Sequence, residues 1–142
     1  MIDFLSIAQG ELGTTEIKGP QANSRILEYD ACTSLKATSD EVPWCSAFAN
    51  WVTQMCGVKG TNSAAARSWL DWGKCVELKD AQPGDIVILD RRDASNPNAA
   101  HVTILASILG DGWLKCVGGN QGDMVKYNNY RVERVLGIRR EV

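Results

Sequence analysis

The sequence predicts an α+β fold in which N-terminal helices pack on a mainly antiparallel C-terminal sheet. Apolar residues recur at helical spacing before Gly73, and after it they fall into short apolar or alternating runs separated by turn residues. The connections between those runs are too short for repeated helical crossovers, which argues against a parallel sheet. At 142 residues the chain reads as a single domain, 1–142, with a helical part over about 1–73 and a sheet part over about 74–142.

Each element has a local reason. Phe4, Ile7, Ala8 and Leu12 share one face of a first helix, and Asn23 or Ser24 caps a second before Ile26-Leu27-Glu28-Tyr29. Gly13 and the pair Gly19-Pro20 punctuate them. A turn-rich stretch from Thr33 to Pro43 leads into a third helix at Trp44-Cys45, with Ala47, Phe48, Trp51, Val52 and Met55 at helical period and Gly57 as its stop. A short fourth helix is expected from about Ser63, its cap, to Gly73. Strands are expected over Asp85–Asp90, His101–Leu109, Trp113–Val117, Met124–Asn128 and Arg131–Arg139. Pro83-Gly84, Asn96-Pro97-Asn98, Gly110-Asp111-Gly112, Gly118-Gly119-Asn120 and Asn128-Asn129 supply the turn chemistry between them.

Composition narrows the function. A hydrophobic fraction of 44% with 23% charged residues excludes a disordered or fibrous chain. Fifteen basic against seventeen acidic residues give a net charge of −2, and the basic pairs Arg91-Arg92 and Arg139-Arg140 are too short for a nucleic-acid footprint, so no nucleic-acid partner is expected. No apolar run approaches the roughly 20 residues that span a bilayer, so no stable membrane association is expected. Asp3 stands where a secretory signal would carry Lys or Arg, which places synthesis in the cytoplasm. Five cysteines with no C-x-x-C spacing and a single histidine do not make a zinc site, and Asp40 with Glu41 falls short of a calcium coordination set. No metal is expected. A cytosolic origin also disfavours a disulfide framework, and most of the thiols read as small buried hydrophobes.

Cys45 differs from the other thiols because it stands where a polar loop becomes an amphipathic helix. There the unpaired backbone N–H groups and the positive end of the helix dipole favour a thiolate, and its own N–H is placed to stabilise an oxyanion. Such a nucleophile acting on an amide needs a base that later protonates the leaving amine, and His101, opening a strand beside a turn, is the sole histidine. Asn120, after Val117 and Gly118-Gly119, is placed to orient the ring from a neighbouring strand. Asp85 in Pro-Gly-Asp reads as a turn residue. Trp51 and Trp69 read as core, while Trp44, beside the nucleophile, is the candidate wall of a substrate groove.

Pro43-Trp44-Cys45-Ser46-Ala47-Phe48, Pro83-Gly84-Asp85-Ile86-Val87, His101-Val102 and Gly118-Gly119-Asn120-Gln121 occur in an order and spacing similar to the CHAP (cysteine, histidine-dependent amidohydrolase/peptidase) branch of the NlpC-like, papain-fold peptidoglycan hydrolases. The resemblance covers roughly residues 40 to 140. It implies Cys45 as nucleophile and His101 as base. Many family members carry Glu two residues before the Asn, where this chain has Gly118, so the orienting role falls to Asn120 or to another residue. The implied activity is hydrolysis of an amide in the peptide part of bacterial peptidoglycan, through an acyl-enzyme and with no cofactor. The scissile bond, in an endopeptidase or an N-acetylmuramoyl-L-alanine amidase, stays open.

A lone catalytic domain of this kind most resembles a small bacteriophage endolysin. Such a protein is expected to be monomeric, to be released to the periplasm by a holin, and to act on the thin wall of a Gram-negative host. The alternatives are a contact-delivered bacterial amidase toxin, a non-catalytic wall-binding domain of the same fold, or a thiol protease or deamidase acting on a protein partner.

Overall fold

The computed structural model describes residues 3–17, 23–33, 44–92, 95 and 99–142. Gly19-Pro20, most of the turn-rich stretch before Trp44 with Asp40, Glu41 and Pro43, and the Asn96-Pro97-Asn98 turn lie outside them. Helices α1 (Phe4–Gln9), α2 (Ser24–Asp30) and α3 (Cys45–Met55) precede strands β1 (Lys74–Cys75), β2 (Ile86–Asp90), β3 (Ala100–Leu109), β4 (Trp113–Gly118), β5 (Lys126–Arg131) and β6 (Val135–Arg140). The strands form one sheet in the order β1-β6-β2-β3-β4-β5, with every pairing antiparallel.

Caps explain where the short helices begin. Asp3 accepts from the Ser6 N–H and starts α1, and Asn23 accepts from the Arg25 N–H and starts α2. Gly57, at φ 74°, takes the left-handed turn that follows α3. The sheet is buried on both faces. Ile86, Ile88, Val102, Ile104 and Val117 meet the helices, while Val87, Leu89, Leu105, Leu114, Cys116 and Ile138 form a second cluster on the opposite face.

Helix α3 is buried nearly all round, and one side of it is polar. Asn50 donates to the Ser46 and Ser63 carbonyls at 3.0 and 3.2 Å and accepts from the Asn62 N–H at 2.8 Å. Ser46 donates to the Ser63 carbonyl at 2.6 Å and accepts from the Trp69 indole at 2.9 Å. These bonds hold the 60–69 connection on the helix next to Cys45 and satisfy groups that burial would otherwise strand. Asn50→Ala is expected to lower stability by about 2–3 kcal/mol in urea unfolding, because it removes the buried side chain that bonds α3 to the 60–69 connection.

Three local expectations are corrected. The fourth helix is a 3-10 segment over Ala66–Asp71, preceded by the Ser63 hydroxyl accepting from the Ala65 N–H. Three residues per turn put Ala66 and Trp69 on one buried face, which suits the indole anchored to Ser46. Asn128-Asn129, expected as a turn, runs through β5 opposite Cys116 and Lys115, because β4 offers partners along the whole segment. The chain bends instead at a 3-10 turn over Val132–Arg134, and Met124 makes only a bridge to Thr15. Strand β1, pairing with Arg139 and Arg140 at the sheet edge, had no signal in the sequence pattern.

Candidate active site

Cys45 is the first residue of α3, and among the described residues no side chain caps that helix. The first intrahelical bond runs from the Phe48 N–H to the Trp44 carbonyl at 2.9 Å, so the N–H groups of Cys45, Ser46 and Ala47 precede it in the helix ladder. His101 lies near the start of β3, and like Cys45 it is 4% exposed. Burial by itself pushes the Cys45 thiol up. The facing His101 charge, a hydrogen bond with that ring, the Val102 backbone N–H and the Arg91 guanidinium together outweigh burial and hold the thiol at about 6. Cys116 shows what burial does without such partners, since it is pushed up to about 12.

These two environments predict a pH-dependent reactivity. Cys45 should alkylate with iodoacetamide at a rate that rises with pH and is half-maximal near pH 6, because only the thiolate attacks. Cys116, fully buried and protonated, should stay unmodified over the same range. Mass mapping of alkylated peptides between pH 4 and pH 8 separates the two. All five cysteines are free of disulfides, so reactivity differences between them report environment alone.

The ring partner of His101 is Gln121, one residue beyond Asn120. Gln121 Oε1 lies 3.0 Å from His101 Nε2 and also accepts from Thr103 Oγ1 at 2.8 Å and the Tyr130 hydroxyl at 3.0 Å. Its amide nitrogen donates to the Lys126 carbonyl at 2.6 Å, which fixes which end of the amide faces the ring. With a carbonyl oxygen opposite it, Nε2 must carry a hydrogen, which leaves Nδ1 as the nitrogen free to exchange a proton. Asn120 stands at φ 57° in the turn after β4, and this left-handed step delivers the next side chain to His101. The tolerance of Asn for that conformation was the sequence signal that could have shifted the assignment to Gln121.

The two glycines ahead of it are needed for close approach. A Cβ at Gly119 would lie 2.6 Å from Phe48 Cβ and 2.8 Å from the Trp44 ring, so the turn packs directly on the first turn of α3. A Cβ at Gly118 would collide with Thr103 Oγ1 and come within 2.9 Å of Gln121 Oε1. A side chain at position 118 therefore has no room here.

Trp44 is not a groove wall. It is fully buried, stacks on Tyr29 with ring centroids 5.8 Å apart, and donates its indole N–H to Glu16 at 2.8 Å. Partners from α2 and the 3–17 segment enclose it, which its neighbours in sequence did not show. Asp85 is structural, as expected. It accepts from the Gln82 N–H at 2.8 Å and forms a two-pronged ion pair with Arg140 at 2.7 and 2.8 Å, fixing the turn before β2. A cavity of about 450 Å³ bordered by Asp3, Phe4, Cys56 and Arg140 lies toward the other end of α3 and includes neither Cys45 nor His101. Among the described residues, no group of three or more His, Cys, Asp or Glu is placed to hold a metal ion.

Solved structures with the same fold include NlpC1 of Trichomonas vaginalis, 21% identical with a TM-score of 0.59 over 96% of this chain and 42% of that one. NlpC2 of the same organism is 20% identical, with a TM-score of 0.59 over 96% of this chain and 44% of the other. A protein described as similar to lipoprotein, NLP/P60 family, from Staphylococcus aureus is 17% identical, with a TM-score of 0.60 over 98% and 40%. The chain thus spans about two-fifths of the length of these structures. They share the expected papain-like architecture of helices packed on an antiparallel sheet. No curated protein matches the sequence. The CHAP domain model matches residues 37–120, more than half of the chain and a span that contains Cys45, His101 and Asn120 and ends one residue short of Gln121, and the protein belongs to the CHAP domain family.

Proposed function

We propose that the protein hydrolyses an amide bond in the peptide part of bacterial peptidoglycan, with Cys45 as nucleophile, His101 as base and acid, and Gln121 as the residue that positions the ring. The observation that carries this reading is the buried Cys45–His101 pair at the start of α3, with the ring's far nitrogen held by Gln121. Membership of the CHAP family supports the substrate class.

The steps follow from the geometry. The Cys45 thiolate attacks the amide carbonyl carbon, and the displaced electron pair moves onto oxygen, where the Cys45 N–H at the open helix end stabilises it. As the oxyanion collapses, the C–N bond breaks, and the proton on Nδ1 passes to the departing amine. His101 then accepts a proton from a water that attacks the thioester. Breaking the C–S bond releases a carboxylic acid and regenerates the thiolate with its imidazolium. Gln121 keeps Nε2 as the donor throughout, so Nδ1 remains the nitrogen in use.

The biological reading that goes with this chemistry is host lysis by an endolysin that a holin releases to the wall. Purified Gram-negative peptidoglycan exposed to the protein should lose turbidity and release fragments with new amino termini. Termini on alanine identify a muramoyl amidase, and termini on diaminopimelate identify an endopeptidase. Unchanged peptidoglycan together with cleavage of a protein substrate would contradict the proposal.

A further inference from the structure

Residues 13–16, between α1 and α2, are bonded to the segment that follows Gln121. The Gly13 N–H donates to the Val125 carbonyl at 2.9 Å, the Val125 N–H to the Thr14 carbonyl at 2.8 Å and the Glu16 N–H to the Asp123 carbonyl at 3.0 Å. Thr15 and Met124 pair as an antiparallel bridge between them. The Gln121 N–H donates to the Met124 carbonyl at 2.9 Å, so the turn that presents Gln121 to His101 is held by this N-terminal segment.

The Glu16 side chain reaches the other half of the site. Its Oε1 accepts the Trp44 indole N–H at 2.8 Å, and the Trp44 carbonyl takes the first bond of α3, one residue before Cys45. The buried Trp44 ring packs against Gly119, where an added Cβ would lie 2.8 Å from it. Glu16 thus bonds through its backbone to the turn that carries Gln121 and through its carboxylate to the residue that precedes the nucleophile. It lies outside the residues 37–120 that the family model matches. A buried indole N–H needs an acceptor, and a nearby carbonyl would satisfy it equally well. An acceptor on residue 16 does more, because it links the placement of α3 to the placement of the turn. We propose that Glu16 is a positioning residue, which sets the separation of Cys45 from the His101–Gln121 pair by tying Trp44 to the 121–125 turn. A misplacement of about 1 Å between reacting groups can cost about 10²-fold in rate, so such a tie bears on kcat. This inference rests on the proposed roles of Cys45, His101 and Gln121.

Three substitutions separate positioning from packing. Glu16→Gln keeps the length and an acceptor for the indole, Glu16→Asp keeps the charge and loses the reach, and Glu16→Ala removes both. Rates on purified peptidoglycan are measured below the thermal midpoint of each variant, with Cys45→Ala as control. Glu16→Gln should keep kcat within about twofold of the parent, while Glu16→Asp and Glu16→Ala should lower it about tenfold with KM nearly unchanged. If Glu16→Ala does not fold, the Asp and Gln pair decides. Parent-like kcat in folded Glu16→Asp, even with a lowered thermal midpoint, would reduce Glu16 to a packing role and overturn the inference while leaving the proposed function standing. A Glu16→Gln protein as slow as Glu16→Asp would also overturn it, since the tie would then not depend on an acceptor at that reach. A parent no more active than Cys45→Ala would overturn the proposed function and this inference with it.

Discussion

Cys45→Ala is expected to lower peptidoglycan hydrolysis by at least about 10³-fold, because removing a covalent nucleophile leaves only binding and oxyanion stabilisation. The fold should survive. The change deletes one sulfur from a cluster that keeps Ala47, Phe48, Val102 and Trp69 in place, at a cost of about 1 kcal/mol. Initial rates on purified peptidoglycan, with the thermal midpoint measured in parallel, separate lost chemistry from lost structure. Cys45→Ser should be nearly as inactive, since a hydroxyl in this setting is not ionised near neutral pH as the thiol is. Activity within a few fold of the parent in a folded Cys45→Ala protein would remove the nucleophile from the account.

Gln121→Ala is expected to lower kcat by about 10²-fold with KM nearly unchanged, because it frees the ring to take the wrong tautomer or orientation. The same change strands the Thr103 and Tyr130 hydroxyls, which now share its carbonyl oxygen, so some loss of stability will accompany it. Gln121→Glu distinguishes positioning from packing. A carboxylate still accepts from Nε2 and should recover part of the rate. It should also move the basic limb of the pH profile upward, since an anion beside the ring favours the imidazolium. A purely structural Gln121 would show neither the partial recovery nor the shifted limb.

The proposed reacting pair, Cys45 and His101, was legible in the sequence for a simple reason. The chain has one histidine, and only one of its cysteines opens an amphipathic helix, so chemistry and local pattern pointed to the same pair. The helix-then-sheet order was legible because hydrophobic period changes sharply near Gly73. What sequence pattern did not show depended on contacts between distant segments. Gln121 replaces Asn120 beside His101 because a left-handed residue redirects the chain by one position. Trp44 is core because Tyr29 stacks on it and Gly119 presses against it. The polar network of Ser46 and Asn50 exists because the 60–69 connection folds onto α3, a long-range contact that helical periodicity does not encode.

The central claim, that the Cys45 thiolate does the chemistry, is tested most directly by titrating the protein with iodoacetamide at pH 7. Residual peptidoglycan hydrolysis and the modified fraction of each of the five thiols are followed together. Activity should fall in direct proportion to unmodified Cys45 and vanish when that one thiol is fully alkylated. Hydrolysis that survives complete modification of Cys45, or that tracks another thiol such as the exposed Cys75, would contradict it.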